Sequence, residues 1–87
     1  MRKIEKKTWP TMFEKILSGT KNFDMRIADF ECEPGDTLIL KEYDPGTQKY
    51  TGREISKKIT FVLKTKDQKF WKKEDIEKYG FLVMGLK

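Results

Sequence analysis

Eighty-seven residues, 37% of them apolar, are enough for one domain with one small core and too few for two. Lys and Arg number 19 against 14 Asp and Glu, and the net charge of +5 suits a polyanion partner but equally an ordinary solvated surface. The chain has no histidine and one cysteine, Cys32, which excludes the commonest general base, every Ser–His or Cys–His pair, an internal disulfide and a cysteine-based metal site.

The opening KIEKKTW alternates weakly and predicts a short entry strand. Pro10 stands at a first helical position, with Thr8 upstream as its cap. Met12, Phe13, Ile16 and Leu17 then fall on one helical face. Gly19 is the expected stop, because glycine takes the left-handed conformation without steric cost. In KNFDMRI the period changes to two, so that Phe23 and Met25 alternate with Asp24 and Arg26 and the strand has one apolar face.

Glu33-Pro34-Gly35-Asp36 is a strong turn. TLILKEY follows as an apolar strand and DPGTQKYTG as a hairpin loop. In REISKKITFVL, Ile55, Ile59, Phe61 and Leu63 share one face, and Lys57 interrupts them at a bulge or an exposed end. WKKEDIEKYG predicts a short helix, with Ile76 and Tyr79 on one side and Gly80 ending it. FLVMGL reads as a buried closing strand. The order β-α-β-β-β-α-β predicts an α+β fold: a small, highly curved sheet or barrel of about five strands with two short flanking helices.

The charged stretch GTKNFDMR is the candidate site. Asp24 and Arg26 are same-face neighbours on the predicted strand, and Lys21 lies at the helix-to-strand junction. An ammonium, a carboxylate and a planar guanidinium recognise polar ligands, phosphates and base edges. The plainer account is a solvated strand face with one surface ion pair worth ~0–1 kcal/mol, and residue types alone favour it. Most of the eleven aromatic residues belong in the core of a domain this small. Trp9, Tyr43 and Trp71 stand at element ends beside Lys or Glu, where a ring can stack on a base. No phosphate-binding glycine loop is present, and the lysine pairs, such as Lys57-Lys58, read as solvated faces.

The run TWPTMFEKILSGTKNFDMR resembles the ASCH superfamily, whose domains have a PUA-like fold. Gly19, Lys21, Asp24 and Arg26 fall on that superfamily's G-x-K-x-x-E-x-R positions, with Asp in place of the commoner Glu. The resemblance continues through PGDTLILKEYDPGTQKYTGREI, including the turn at Gly35 and Asp36, and reaches KFWKKEDIEKYGF. It implies a single PUA-like domain over residues 1–87, built as a closed or nearly closed β-barrel. Lys21 and Arg26 would line a cleft that binds RNA or a nucleotide, with Asp24 orienting them and Trp9 or Tyr43 stacking.

One branch of the superfamily removes the acetyl group from acetylated cytidine. It uses the motif Lys, a Thr where this chain has Asp24, and a distant Glu. Lys21 fits, Asp24 does not, and Glu42 or Glu74 would supply the distant carboxylate. The expectation is therefore a binding module rather than an enzyme, with a small amidohydrolase and a protein-interaction domain as the alternatives. No metal and no cofactor are expected. The lone thiol, the absence of a membrane-length apolar run of ~18 residues and an N-terminus without a signal-like apolar core fit a cytoplasmic protein, and a monomer is expected.

Overall fold

A computed structural model describes residues 1–65, 72–78 and 80–87. Its elements are β1 (Lys3–Thr8), α1 (Pro10–Leu17), β2 (Phe23–Ile27), β3 (Thr37–Asp44), β4 (Lys49–Lys64), α2 (Lys73–Glu77) and β5 (Phe81–Leu86). The expectations for Trp71, Tyr79 and the Ile76 side chain fall outside the described residues. Among the described residues the helices are short, α1 with eight residues and α2 with five. Among the described residues no helix is long and apolar enough to cross a membrane.

The strands form one five-stranded mixed sheet in the order β1-β3-β4-β5-β2. β1 lies parallel to β3, and the other three pairings are antiparallel. This corrects the expected closed barrel. A barrel needs a hydrogen-bonded ladder between its first and last strands, and here β1 and β2 are the two edges of an open sheet. β4 makes the curvature. Its first half pairs with β3 and its second half with β5, and the register shifts between Ile59 and Phe61. That irregularity adds a residue to the strand and turns the following side chains over.

Ile59 is therefore buried in the core, whereas Phe61 and Leu63 are exposed on the opposite face. The interruption expected at Lys57 lies further on: Lys57 pairs with buried Leu38 on the inner face, and the alternation breaks between Ile59 and Phe61. Gly85 sits opposite Phe61, and a Cβ there would stand 2.8 Å from Thr60 Oγ1, so glycine permits the close approach of β5 to the irregular stretch.

The inner face carries the core: Leu38 and Leu40 of β3, Ile59 of β4, and Leu82, Met84 and Leu86 of β5, closed over by Ile16 of α1 and Cys32. Burial of large aliphatic side chains stabilises by about 1.5–3 kcal/mol each, and this layer is the main favourable term. α1 contributes a narrower stripe than its pattern predicts. Phe13 and Ile16 are buried, while Met12 and Leu17 are half-exposed. Pro10 is at its first turn as expected, but the capping residue is Trp9, with no side-chain cap bond; Thr8 belongs to β1. Gly19 ends the helix at φ +82°, and Lys21 N–H returns to the Lys15 carbonyl at 2.9 Å.

Two buried carboxylates fasten the ends of this frame. Asp36 accepts from the backbone N–H groups of Arg2 and Glu33, each at 2.9 Å. Those bonds, the Arg2 one foremost, hold its carboxyl below the usual carboxylate range and tie β1 to the turn at Gly35. Glu42 of β3 accepts from Arg53 Nε at 2.9 Å, Arg53 Nη2 at 2.8 Å and Thr51 Oγ1 at 2.6 Å. Arg53 also pairs with Glu14 of α1, and its guanidinium stands 4.9 Å from the Phe13 ring centroid. The β3–β4 hairpin is thereby clamped to the helix.

The Arg53 and Thr51 hydrogen bonds lower the Glu42 pKa from 4.5 to about 2. Because the folded value is the lower one, the stabilisation is complete above the unfolded pKa and disappears as pH falls through the folded one. Urea unfolding measured across pH 2 to 4.5 is expected to show a steep loss of stability in the wild type and a flatter profile in Glu42→Gln.

Candidate functional site

The alternation in β2 is real, but its two faces are exchanged relative to the expectation from hydropathy. Asp24 pairs with Met84 and Arg26 with Leu82, both fully buried residues of β5. Paired residues share a face, so the two charged side chains point inward. Phe23, Met25 and Ile27 point outward and are about half-exposed. Asp24 is only 4% exposed.

A carboxylate in that position is costly unless it is paired and hydrogen-bonded. Asp24 has both. Arg26 Nε donates to its Oδ2 at 2.5 Å, and Lys21 Nζ lies 3.6 Å from its Oδ1. The other end of Arg26 reaches across the open side of the sheet. Its Nη2 donates to the Lys7 carbonyl at 2.8 Å and to Thr8 Oγ1 at 3.2 Å. The two edge strands, which share no ladder, are thus joined by one guanidinium. Lys21 Nζ donates to the Phe23 carbonyl at 2.8 Å and stands 4.9 Å from the Phe23 ring centroid.

Over this cluster opens a cleft of about 510 Å³ between the start of α1 and β2. Lys21, Asp24 and Arg26 line it, together with Trp9, Thr8 and Met25. Trp9 is 60% exposed, so its ring presents a free apolar face beside the cations. Gly19 places Lys21 at the mouth by stopping the helix one turn before it. The arrangement offers aromatic surface from Trp9 and Phe23, the cations of Lys21 and Arg26 and the anion that they share, which suits a ligand with a flat ring and a negative group.

Other expected residues lie elsewhere. Tyr43 packs edge-on against Tyr50 with centroids 5.2 Å apart, and Lys7 Nζ covers its ring at 4.4 Å. It does not line the cleft. Glu42 is committed to Arg53 and Thr51, and Glu74 is exposed on α2; neither lines the cleft. Gly35 and Asp36 serve the turn. Thr8 was the residue least visible to sequence reasoning. Its hydroxyl suggests a helix cap, and only the approach of β2 to β1 makes it a partner of Arg26.

Residues 4–85 match the family described as "Domain of unknown function (DUF3850)", and the chain belongs to it. It is also 40% identical over 68 residues to a protein of Escherichia phage P2, "Uncharacterized 12.9 kDa protein in GpA 3'region". That match covers 77% of this chain and 61% of the length of the phage protein.

Removing Arg26 leaves the buried Asp24 carboxylate with less compensation and cuts the link between the sheet edges. Arg26→Ala is expected to destabilise the fold by about 3 kcal/mol in urea unfolding, as for other buried pairs broken on one side. Arg26→Lys is expected to recover only part of this, because an ammonium lacks the fork that holds Asp24 and β1 together.

Proposed function

We propose that this domain binds RNA or a nucleotide in the cleft between α1 and β2, acting as a monomeric binding module of the cytoplasm rather than as an enzyme. The observation that carries this reading is the Trp9 ring, exposed on the same cleft as Lys21 and Arg26. Trp9 stacks on a base, a contact worth about 1–3 kcal/mol and tolerant of base identity. Lys21 spends one N–H on the Phe23 carbonyl and meets a phosphate as a point charge with its remaining donors. Arg26 is held by Asp24, Lys7 and Thr8, so it adds positive potential and fixes the cleft's geometry. The ASCH resemblance of the Gly19, Lys21, Asp24 and Arg26 pattern supports the same assignment.

Hydrolysis of an acylated nucleoside by a Lys–carboxylate pair needs a carboxylate free to take a proton from water. Asp24 faces two cations, and Glu42 is held by Arg53 and Thr51 outside the cleft. Binding is therefore favoured over turnover.

Backbone-amide NMR titration with cytidine monophosphate is expected to move resonances at Trp9, Lys21 and Asp24. Trp9→Ala is expected to weaken affinity about tenfold. Lys21→Ala is expected to weaken it and to lower the log–log salt slope by about one. Affinity and salt slope unchanged in both variants would remove the cleft from the function.

A further inference from the structure

We infer that the outer face of the β4–β5–β2 half-sheet is a stacking platform for a single-stranded nucleic acid running on from the cleft. This deepens the nucleotide-binding reading and rests on it for the class of ligand.

The face is defined by register. Phe23 and Phe61 flank Gly85, Met25 and Leu63 flank Val83, and Ile27 lies beside Phe81. Paired residues project to one side of a sheet, and all six of the large side chains are exposed, with Phe23 at 48%, Phe61 at 60% and Phe81 at 49%. Solvent normally meets polar residues on an antiparallel sheet. The other half of this same face obeys that rule, with Lys3 and Glu5 on β1 exposed and Glu5 paired to Lys41 of β3. Among the described residues, the exposed phenylalanine and large aliphatic side chains of this face are thus on β2, β4 and β5, and the register shift in β4 is what brings Phe61 and Leu63 to it.

Three features choose the occupant. The first is ring placement. One phenylalanine projects from each of three adjacent strands, and Phe23 and Phe61 stand two strand spacings, about 10 Å, apart across the gap at Gly85. Separate rings on a sheet surface are the arrangement that holds splayed bases.

The second is charge. The Asn22 carbonyl accepts from Leu86 N–H, and the Lys58 carbonyl accepts from Lys87 N–H. Lys21, Lys87 and Lys58 are therefore gathered at the platform end that carries Phe23 and Phe61. They complement a phosphodiester chain, whereas two copies of a chain with net charge +5 repel.

The third is continuity with the cleft. Phe23 belongs to both the cleft and the face, so one strand of nucleic acid can engage Trp9 and Lys21 and continue over β2 to β5 and β4.

The test uses the whole chain with a uridine oligoribonucleotide of about ten residues and with cytidine monophosphate, by fluorescence anisotropy and NMR. Phe61→Ala and Phe81→Ala, both outside the cleft, are expected to weaken oligonucleotide binding about tenfold each while leaving the mononucleotide shifts at Trp9 and Lys21 unchanged. Phe61→Tyr, which keeps the ring, is expected to retain affinity. Oligonucleotide affinity unchanged by both alanine variants would overturn the platform and leave the cleft reading standing. Loss of oligonucleotide binding in Phe61→Ala but not in Trp9→Ala or Lys21→Ala would support the platform and remove the cleft. A concentration-dependent dimer in sedimentation that Phe61→Ala dissociates, with no effect on oligonucleotide affinity, would make the face a contact between copies of this chain and overturn the proposal.

Discussion

A single guanidinium holds the two ends of this sheet together. Arg26 leaves β2 on the inner face, pairs with Asp24 two residues back on its own strand, and crosses to the Lys7 carbonyl and the Thr8 hydroxyl at the end of β1. A closed barrel would spend a run of backbone bonds on that seam. Here the seam is one forked side chain, and the gap that it spans is the mouth of the cleft. The buried carboxylate is the other half of the same device. Asp24 sets the angle of the fork and draws Lys21 in from the helix-to-strand junction. The same three residues therefore hold the seam and line the cleft.

Placing charges inside β2 has a consequence on its outside. Side chains alternate along a strand, so inward Asp24 and Arg26 force Phe23, Met25 and Ile27 to the surface. The register shift in β4 does the same to Phe61 and Leu63, and Gly85 lets the two strands come close where that shift occurs. An apolar outer face of this extent is large for a domain of 87 residues. It exists because the inner face of β2 is given over to the polar cluster, with Leu82, Met84, Ile59, Leu38 and Leu40 left to build the core.

Much of the local structure was legible beforehand. Pro10 and Gly19 bracket α1, the Glu33–Asp36 turn precedes β3, and FLVMGL is the closing strand, though it is buried on one face and not throughout. Such features depend on steric rules that act within a few residues. The grouping of Lys21, Asp24 and Arg26 was also legible, through spacing and through the ASCH-like pattern, and all three line one cleft with Trp9. Tyr43 was assigned to the site from its place at an element end, and Glu42 or Glu74 as the distant carboxylate that one ASCH branch uses. Their side chains are elsewhere because long-range pairing, not type, decides where a strand end points. Tyr43 has Tyr50 across the hairpin, and Glu42 has Arg53.

By itself the amino-acid sequence determined the element order, the helix stop at Gly19 and the period-two rhythm of β2, since these follow from backbone sterics and side-chain alternation over short distances. Only the tertiary structure decided which side of that rhythm faces in. The expectation that apolar residues turn inward fails in β2, because Asp24 and Arg26 gain charge-assisted bonds to each other and to β1 that no local pattern records. The openness of the sheet was decided at the same level. Closure depends on whether two edges far apart in pairing order meet as ladders or through a side chain, and here Arg26 makes the link.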